Sequence, residues 1–344
     1  MLHQPIVGLG REPRTGQIFA VDDRKRVEVG EVAAAGCVCS GLGHGQAVAG
    51  SLPRPPAVVS GWAGVSNGDR SMRDATYIDL AALKHLARGL TFDCDQIVGV
   101  ADHALQGLND KTGFPDRMLR WIADGAHDSG PCPLDPAGRI IIDVEQRAKA
   151  GGNQLYTAMI LRKSDEQSMA PVMFLSMHSP TLDIPMRVEL PLRAVLKGNA
   201  PLEGTYTLYL HALMTSEGDA YLYYGVTKRG WGLRFDEHTK AALAKKSKRL
   251  LARTLNALVE ARAEELYGGP HDRPKLAGIV STILGTGLSR EAAMEAEERV
   301  VDKYSLASKH PLGLNMIPGG LAGIRHARRY FRQPNNQPGA QVAT

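Results

Sequence analysis

Cysteine is scarce in this sequence, with four in 344 residues, at Cys37, Cys39, Cys94 and Cys132. They form one C-x-C and no C-x-x-C pair, and no histidines stand beside them at zinc spacing, which argues against a structural zinc and against a disulfide-built fold. Aromatic residues make up 6% of the chain, so a place where tyrosines gather stands out. No apolar run approaches the roughly 20 residues that a membrane-spanning helix needs. Residues 1–10 do not read as a secretory leader, and with so few cysteines a soluble protein of a reducing cytoplasm, with no membrane partner, is expected. Neither sign of charge dominates: 41 Lys and Arg oppose 36 Asp and Glu, for a net +5 at pH 7. That excess fits a nucleic-acid partner without requiring one.

What is present divides into parts of different composition, and the class predicted is α+β. Residues 1–73 are rich in glycine, alanine and proline and are expected to form a flexible lead. Residues 74–130 carry helical spacing: Asp79 is a cap candidate ahead of Leu80, Leu83 and Leu86, Asp93 or Asp95 opens a second helix, and residues 116–126 make a third. Three short helices suit a small bundle or a module that reads a target. Residues 138–198 are β-rich, with strands expected at 139–144, 155–162, 172–177 and 186–190, forming a small antiparallel sheet. The final segment, 333–344, is polar and proline-containing and is expected to be disordered.

Between these lies GTYTLYLHALMTSEGDAYLYYGVTKRGWGLRFDEHTK, starting at Gly204. Two tyrosine-bearing apolar runs flank a Ser-Glu-Gly-Asp turn signal, which predicts a β-hairpin. Helical spacing begins after Gly230, and Arg234 and His238, four apart, share one helix face. A permanent cation and a titratable imidazole therefore point the same way, and Lys228 and Arg229 add charge in the preceding loop. The pattern suits a phosphate site.

The segment resembles the core of the GIY-YIG nuclease family. Gly204-Thr205-Tyr206 stands in the place of the first motif, Tyr223-Tyr224-Gly225 in that of the second, and Arg234 and His238 match the helix pair. Glu297 in MEAEERVVDKYS matches the metal-binding glutamate, with Glu295 and Glu298 as close neighbours, and Asn315 matches the loop asparagine. The resemblance covers about residues 202–323, within a domain expected over 202–325 that has a helix-flanked small antiparallel sheet. Two spacings are long: 17 positions between Tyr206 and Tyr223 (223 − 206), and 59 between His238 and Glu297 (297 − 238). The second suggests an insertion near residues 267–275.

The resemblance implies a metal-dependent DNA endonuclease, with Mg²⁺ or Mn²⁺ on Glu297. Arg234 would stabilise the phosphate in the transition state, Tyr206 would be the candidate general base beside His238, and Tyr223 would position water or phosphate. DNA would be held by Lys228 and Arg229, by Lys245, Lys246, Lys248 and Arg249 on a helix expected over 241–258, and by Arg325, Arg328 and Arg329 near the C-terminus. One such site cuts one strand, so a homodimer is one route to a double-strand break. Two alternatives stand beside this reading: a catalytically silent DNA-binding protein on the same scaffold, and a protein-interaction module centred on residues 139–190.

Overall fold

In the computed structural model, residues 16–22, 25–32, 75–125, 139–149, 152–162, 170–179, 182, 184–268 and 273–332 are described. Strands β1 (Gly16–Asp22) and β2 (Lys25–Val32) pair as an antiparallel hairpin within the expected flexible lead. The rest of that lead and the 333–344 tail lie outside the described residues.

The helical module is present as α1 (Leu80–Ala87), α2 (Cys94–Thr112) and α3 (Phe114–Ala123). The Asp79 carboxylate accepts the Ala81 and Ala82 N–H groups, and Asp93, rather than Asp95, caps α2 by accepting from Gln96 N. Such caps satisfy amides that have no partner within a helix. Gly113 ends α2 in the left-handed region and turns the chain directly into α3.

Strands β3 (Arg139–Lys149), β4 (Gly152–Arg162), β5 (Val172–Ser179) and β6 (Ile184–Pro191) follow. They do not form a separate antiparallel sheet. They join β7 (Tyr206–Thr215), β8 (Ala220–Thr227) and β9 (Leu276–Leu288) in one seven-stranded mixed sheet of order β4-β3-β5-β6-β9-β7-β8. The β3–β5 and β6–β9 pairs are parallel, and the second of these, Met186 opposite Ile279 to Glu189 opposite Thr282, welds the two halves of the chain together. Strand β9, from the long gap before Glu297, fills the place between β6 and β7.

A small hydrophobic cluster, Ile141 with Val172 and Phe174, and two large ones cover the sheet among the described residues. One unites Leu83, Leu105 and Met118 of the helical module with Ile142 and Met173 of the sheet and with Tyr209, Leu213, Trp231 and Phe235. The other packs Leu210, Leu222 and Tyr224 against Val301 and Leu306. Leu210 and Tyr209 enter different cores because successive residues of a strand point to opposite faces.

Helices α4 (Trp231–Leu243) and α5 (Leu250–Leu266) replace the single helix expected over 241–258. Residues 244–249 offer lysine, serine and arginine where the apolar stripe would have to continue, and Lys246 takes a positive φ of 43°. Lys245, Lys246, Lys248 and Arg249 thus lie in an exposed turn between helices. Helix α6 (Arg290–Val300), capped by Ser289, runs into a single π-type turn at Val301–Ser305, and α7 (Gly320–Arg332) follows a loop.

Candidate active site at the β7–β8 hairpin and helix α4

The hairpin register decides which side chains meet. The Ser216 to Asp219 turn sets Met214 opposite Ala220, and the ladder then brings Tyr209 opposite Gly225. A Cβ at Gly225 would stand 2.6 Å from Tyr209 Oη, so the absence of a side chain there is what lets the phenol lie across β8. Tyr209 is fully buried, and its hydroxyl is 3.2 Å from His238 Nε2.

Helix α4 presents the other half of the site. Trp231 and Phe235 bury one face, which fixes the helix so that Arg234 and His238, one turn apart, turn toward the hairpin. The Tyr223 ring meets His238 edge-on, with centroids 5.0 Å apart. Arg234 Nη1 donates to Glu237 Oε2 at 2.9 Å, and Glu237 also pairs with Arg229 at 2.6 Å. The Arg234 charge also acts on the Tyr209 and Tyr223 phenols, favouring their ionised forms.

Charges in this pocket are shifted mainly by burial. Burial pushes the Tyr209 phenol well above its ordinary value, reinforced by Tyr223 and opposed by Arg234. Tyr223 is likewise raised by burial, with Arg234 opposing. His238 is lowered to about 3 by burial and then by Arg234, so the imidazole is neutral at pH 7. Burial works against the Arg234 charge, but Tyr209, Glu237 and Tyr223 together hold its pKa above the usual arginine value.

Glu297 comes from α6. Burial raises its carboxyl pKa, while the Gly320 and Val226 backbone N–H groups and Arg234 pull the other way. The Gly320 N–H donates to Glu297 Oε2 at 2.9 Å. Its neighbours face elsewhere: Glu295 is exposed and lies 3.6 Å from Arg299, and Glu298 accepts Ala322 N at 3.0 Å and leans toward Arg325. Among the three, Glu297 is the carboxylate whose charge reaches Tyr209, Tyr223 and Arg234.

Two expected site residues are placed differently. Tyr206 lies outside the β7–β8 ladder, which begins at Thr207 opposite Thr227; it pairs instead with Leu288 of β9, and Lys228 Nζ sits 4.9 Å from its ring centre. The tyrosine in the cluster is Tyr209, three residues on. Asn315 is a buried clamp on strand β8. Its Nδ2 donates to Tyr224 O at 2.9 Å, and its Oδ1 accepts from Tyr224 N at 3.1 Å and Ser305 Oγ at 2.7 Å. All three of those bonds serve the protein's own frame.

The expected DNA contacts fall in separate places. Lys228 and Arg229 are exposed beside the hairpin end; Arg325, Arg328 and Arg329 are exposed on α7. Arg249 is the one expected contact whose charge reaches both Tyr223 and His238.

His211 carried no expectation and lies directly behind the site. It is 1% exposed, its Nδ1 is 2.8 Å from Ser281 Oγ, and its ring centre is 4.7 Å from that of Tyr209 and 5.7 Å from that of His238. Burial holds its imidazole neutral, with His238 and Arg234 adding to the effect. A period-2 reading from Tyr209 places it on the same strand face.

Among the described residues no three His, Cys, Asp or Glu side chains converge as a metal cage. A lone carboxylate is nevertheless a donor set that fits Mg²⁺, which keeps several waters and commonly uses one or two protein carboxylates with substrate phosphate oxygens. The part-buried Glu297 carboxyl, with its raised pKa, is a group that a cation would favour in ionised form. Comparison with family models, with curated proteins and with solved structures yields no match.

Proposed function

We propose that this protein is a metal-dependent endonuclease of the GIY-YIG type that hydrolyses phosphodiester bonds in DNA. The observation that carries the reading is the meeting of Tyr209, Tyr223, Arg234, His238 and Glu297 from one hairpin and two helices. A half-buried guanidinium held beside two phenols and paired with the Glu237 carboxylate is the kind of perturbed charge that marks a functional site.

Arg234 would bind the scissile phosphate and stabilise the charge that grows on it in the transition state. Tyr209 would take the proton of the attacking water while passing its own to neutral His238 at 3.2 Å. That relay would avoid a free phenolate in a site where burial raises the phenol pKa, at the cost of charging an imidazole whose own pKa is lowered to about 3. Tyr223 would orient the water or a phosphate oxygen. When bound, Mg²⁺ or Mn²⁺ on Glu297 would supply Lewis-acid stabilisation of phosphate oxygens.

The test is cleavage of supercoiled plasmid and branched DNA with Mg²⁺, with Arg234→Ala, Glu297→Ala and Glu297→Gln run in parallel. The glutamine keeps an acceptor for the Gly320 N–H, so its loss of activity cannot be ascribed to a displaced α7. Metal-dependent nicking that falls by about 10²-fold or more in all three variants supports the reading. Binding without cutting across substrates and metals would transfer the scaffold to the catalytically silent class.

A further inference from the structure

Large apolar side chains exposed among the described residues are few: Leu266, Tyr267, Met316, Ile317 and Leu321. Three of the five come from residues 316–321, the connection entering α7, where Met316 is 61% exposed, Ile317 41% and Leu321 46%. A slack loop would fold such side chains inward, because exposed apolar area costs free energy in proportion to its extent. This loop is pinned on both sides.

On one side Asn315 is bonded in both directions to Tyr224 and to Ser305. On the other, Gly319 and Gly320 press onto α6 so closely that a Cβ at Gly319 would stand 2.5 Å from the Glu297 carbonyl oxygen, and one at Gly320 1.9 Å from that of Met294. Gly320 also has a φ of +56°, which a side chain rarely accepts. Its N–H is the group bonded to the Glu297 carboxylate. The apolar side chains are therefore displayed from the same turn that steadies the candidate metal ligand.

Cations border this patch. Met316 Sδ lies 3.3 Å from Leu250 N, at the root of the exposed turn carrying Lys246, Lys248 and Arg249. Beyond Leu321 on α7 stands Arg325, partly answered by Glu298 at 3.9 Å. A second copy of this surface would meet it with like charge. Uninterrupted duplex offers phosphates but hides its base faces, whereas unstacked nucleotides offer both, and Met, Ile and Leu are side chains that proteins insert against unstacked base steps.

We infer that Met316, Ile317 and Leu321 form a base-binding lip, and that the substrate is a nucleic acid with unpaired bases beside the scissile phosphate, such as a fork, flap or single-strand junction. This rests on the nuclease reading above.

Fluorescence anisotropy in EDTA, with the full chain and labelled DNAs of equal nucleotide number, separates the two ideas. The wild type is expected to bind a forked duplex about tenfold more tightly than an uninterrupted one. Met316→Ser/Ile317→Ser/Leu321→Ser should narrow that preference to within about twofold while leaving duplex affinity and its salt dependence unchanged, since no phosphate contact is removed. Equal binding of both DNAs by the wild type, or a preference that survives the triple substitution, overturns the lip. A dimer that becomes monomeric in the variant, with the fork preference intact, assigns the patch to self-association and also overturns it. Cleavage with Mg²⁺ but no fork preference removes the lip alone; fork preference with no cleavage removes the nuclease reading alone.

Discussion

Deleting one hydroxyl, in Tyr209→Phe, removes the atom 3.2 Å from His238 Nε2 and leaves the buried ring in place. Single-turnover nicking should fall by about 10²-fold or more, the usual worth of a positioned acid–base group, while Tyr206→Phe stays within about threefold of wild type. The reverse order of effects would return the first half-motif to Gly204-Thr205-Tyr206. His238 carries a second prediction. Its pKa is about 3 in the folded protein against an ordinary 6.5, so below pH 6.5 the unfolded chain takes up a proton that the folded chain refuses until near pH 3. The part-buried ring, held neutral, therefore costs stability progressively as pH falls from about 6.5 toward 3, and not above that window. His238→Gln should flatten the fall of the urea midpoint between pH 7.5 and 4.5. The flattening will be incomplete, because His211 is shifted in the same direction. An unchanged pH profile in the glutamine variant would show that the ring is not held neutral.

At the scale of elements, the local parts were legible and their pairing was not. Turn chemistry at Ser216 to Asp219, the Asp79 and Asp93 caps and the Arg234/His238 spacing are written in a few adjacent residues, and each stands where that chemistry puts it. Even Tyr209 was within reach: a hairpin with Met214 opposite Ala220 must set 209 against 225, where only a glycine leaves room for the phenol. The Gly-Thr-Tyr triplet points instead to Tyr206, which lies outside the β7–β8 ladder. The place of β9 had no local signal, since its partners on β6 lie about ninety residues earlier in the chain (279 − 186). Asn315 shows the same limit, because a loop asparagine after a helix looks alike whether it faces a substrate or, as here, the backbone of β8 across 91 residues. Asn315→Ala would leave the buried Tyr224 N–H and C=O and the Ser305 hydroxyl without this partner. A loss of about 2–4 kcal/mol in denaturant unfolding is expected, with cleavage by the remaining folded fraction within about tenfold of wild type. Full stability with abolished cleavage would instead make Asn315 a residue of the chemistry.

For the whole molecule, the consequence of a seven-stranded sheet and a core shared between its two halves is that the segment from residue 202 onward is not a separable unit. Removing residues before 202 strips β6 from β9, leaving the edge at residues 279–282 open. It also removes Leu83, Leu105, Met118, Ile142 and Met173 from the core to which Tyr209, Leu213 and Phe235 belong. An unpaired strand edge beside newly exposed apolar surface is a template for aggregation, and the lost burial is far larger than the few kcal/mol by which a domain is stable. A fragment of residues 202–332 should therefore lack a cooperative thermal transition, bind hydrophobic dye and precipitate. A fragment of residues 75–332 should melt in one calorimetric transition, because α1 to α3, the sheet and α4 must come apart together. Two well-separated transitions in the longer fragment, or a sharp one in the shorter, would mean that the β6–β9 junction contributes little and that the hairpin, α4 and α6 hold Tyr209, Arg234, His238 and Glu297 in place unaided. In the expected case, assays on a fragment beginning at residue 202 report an unfolded site, and the proposed cleavage has to be tested with the helical module and the β3 to β6 strands in place.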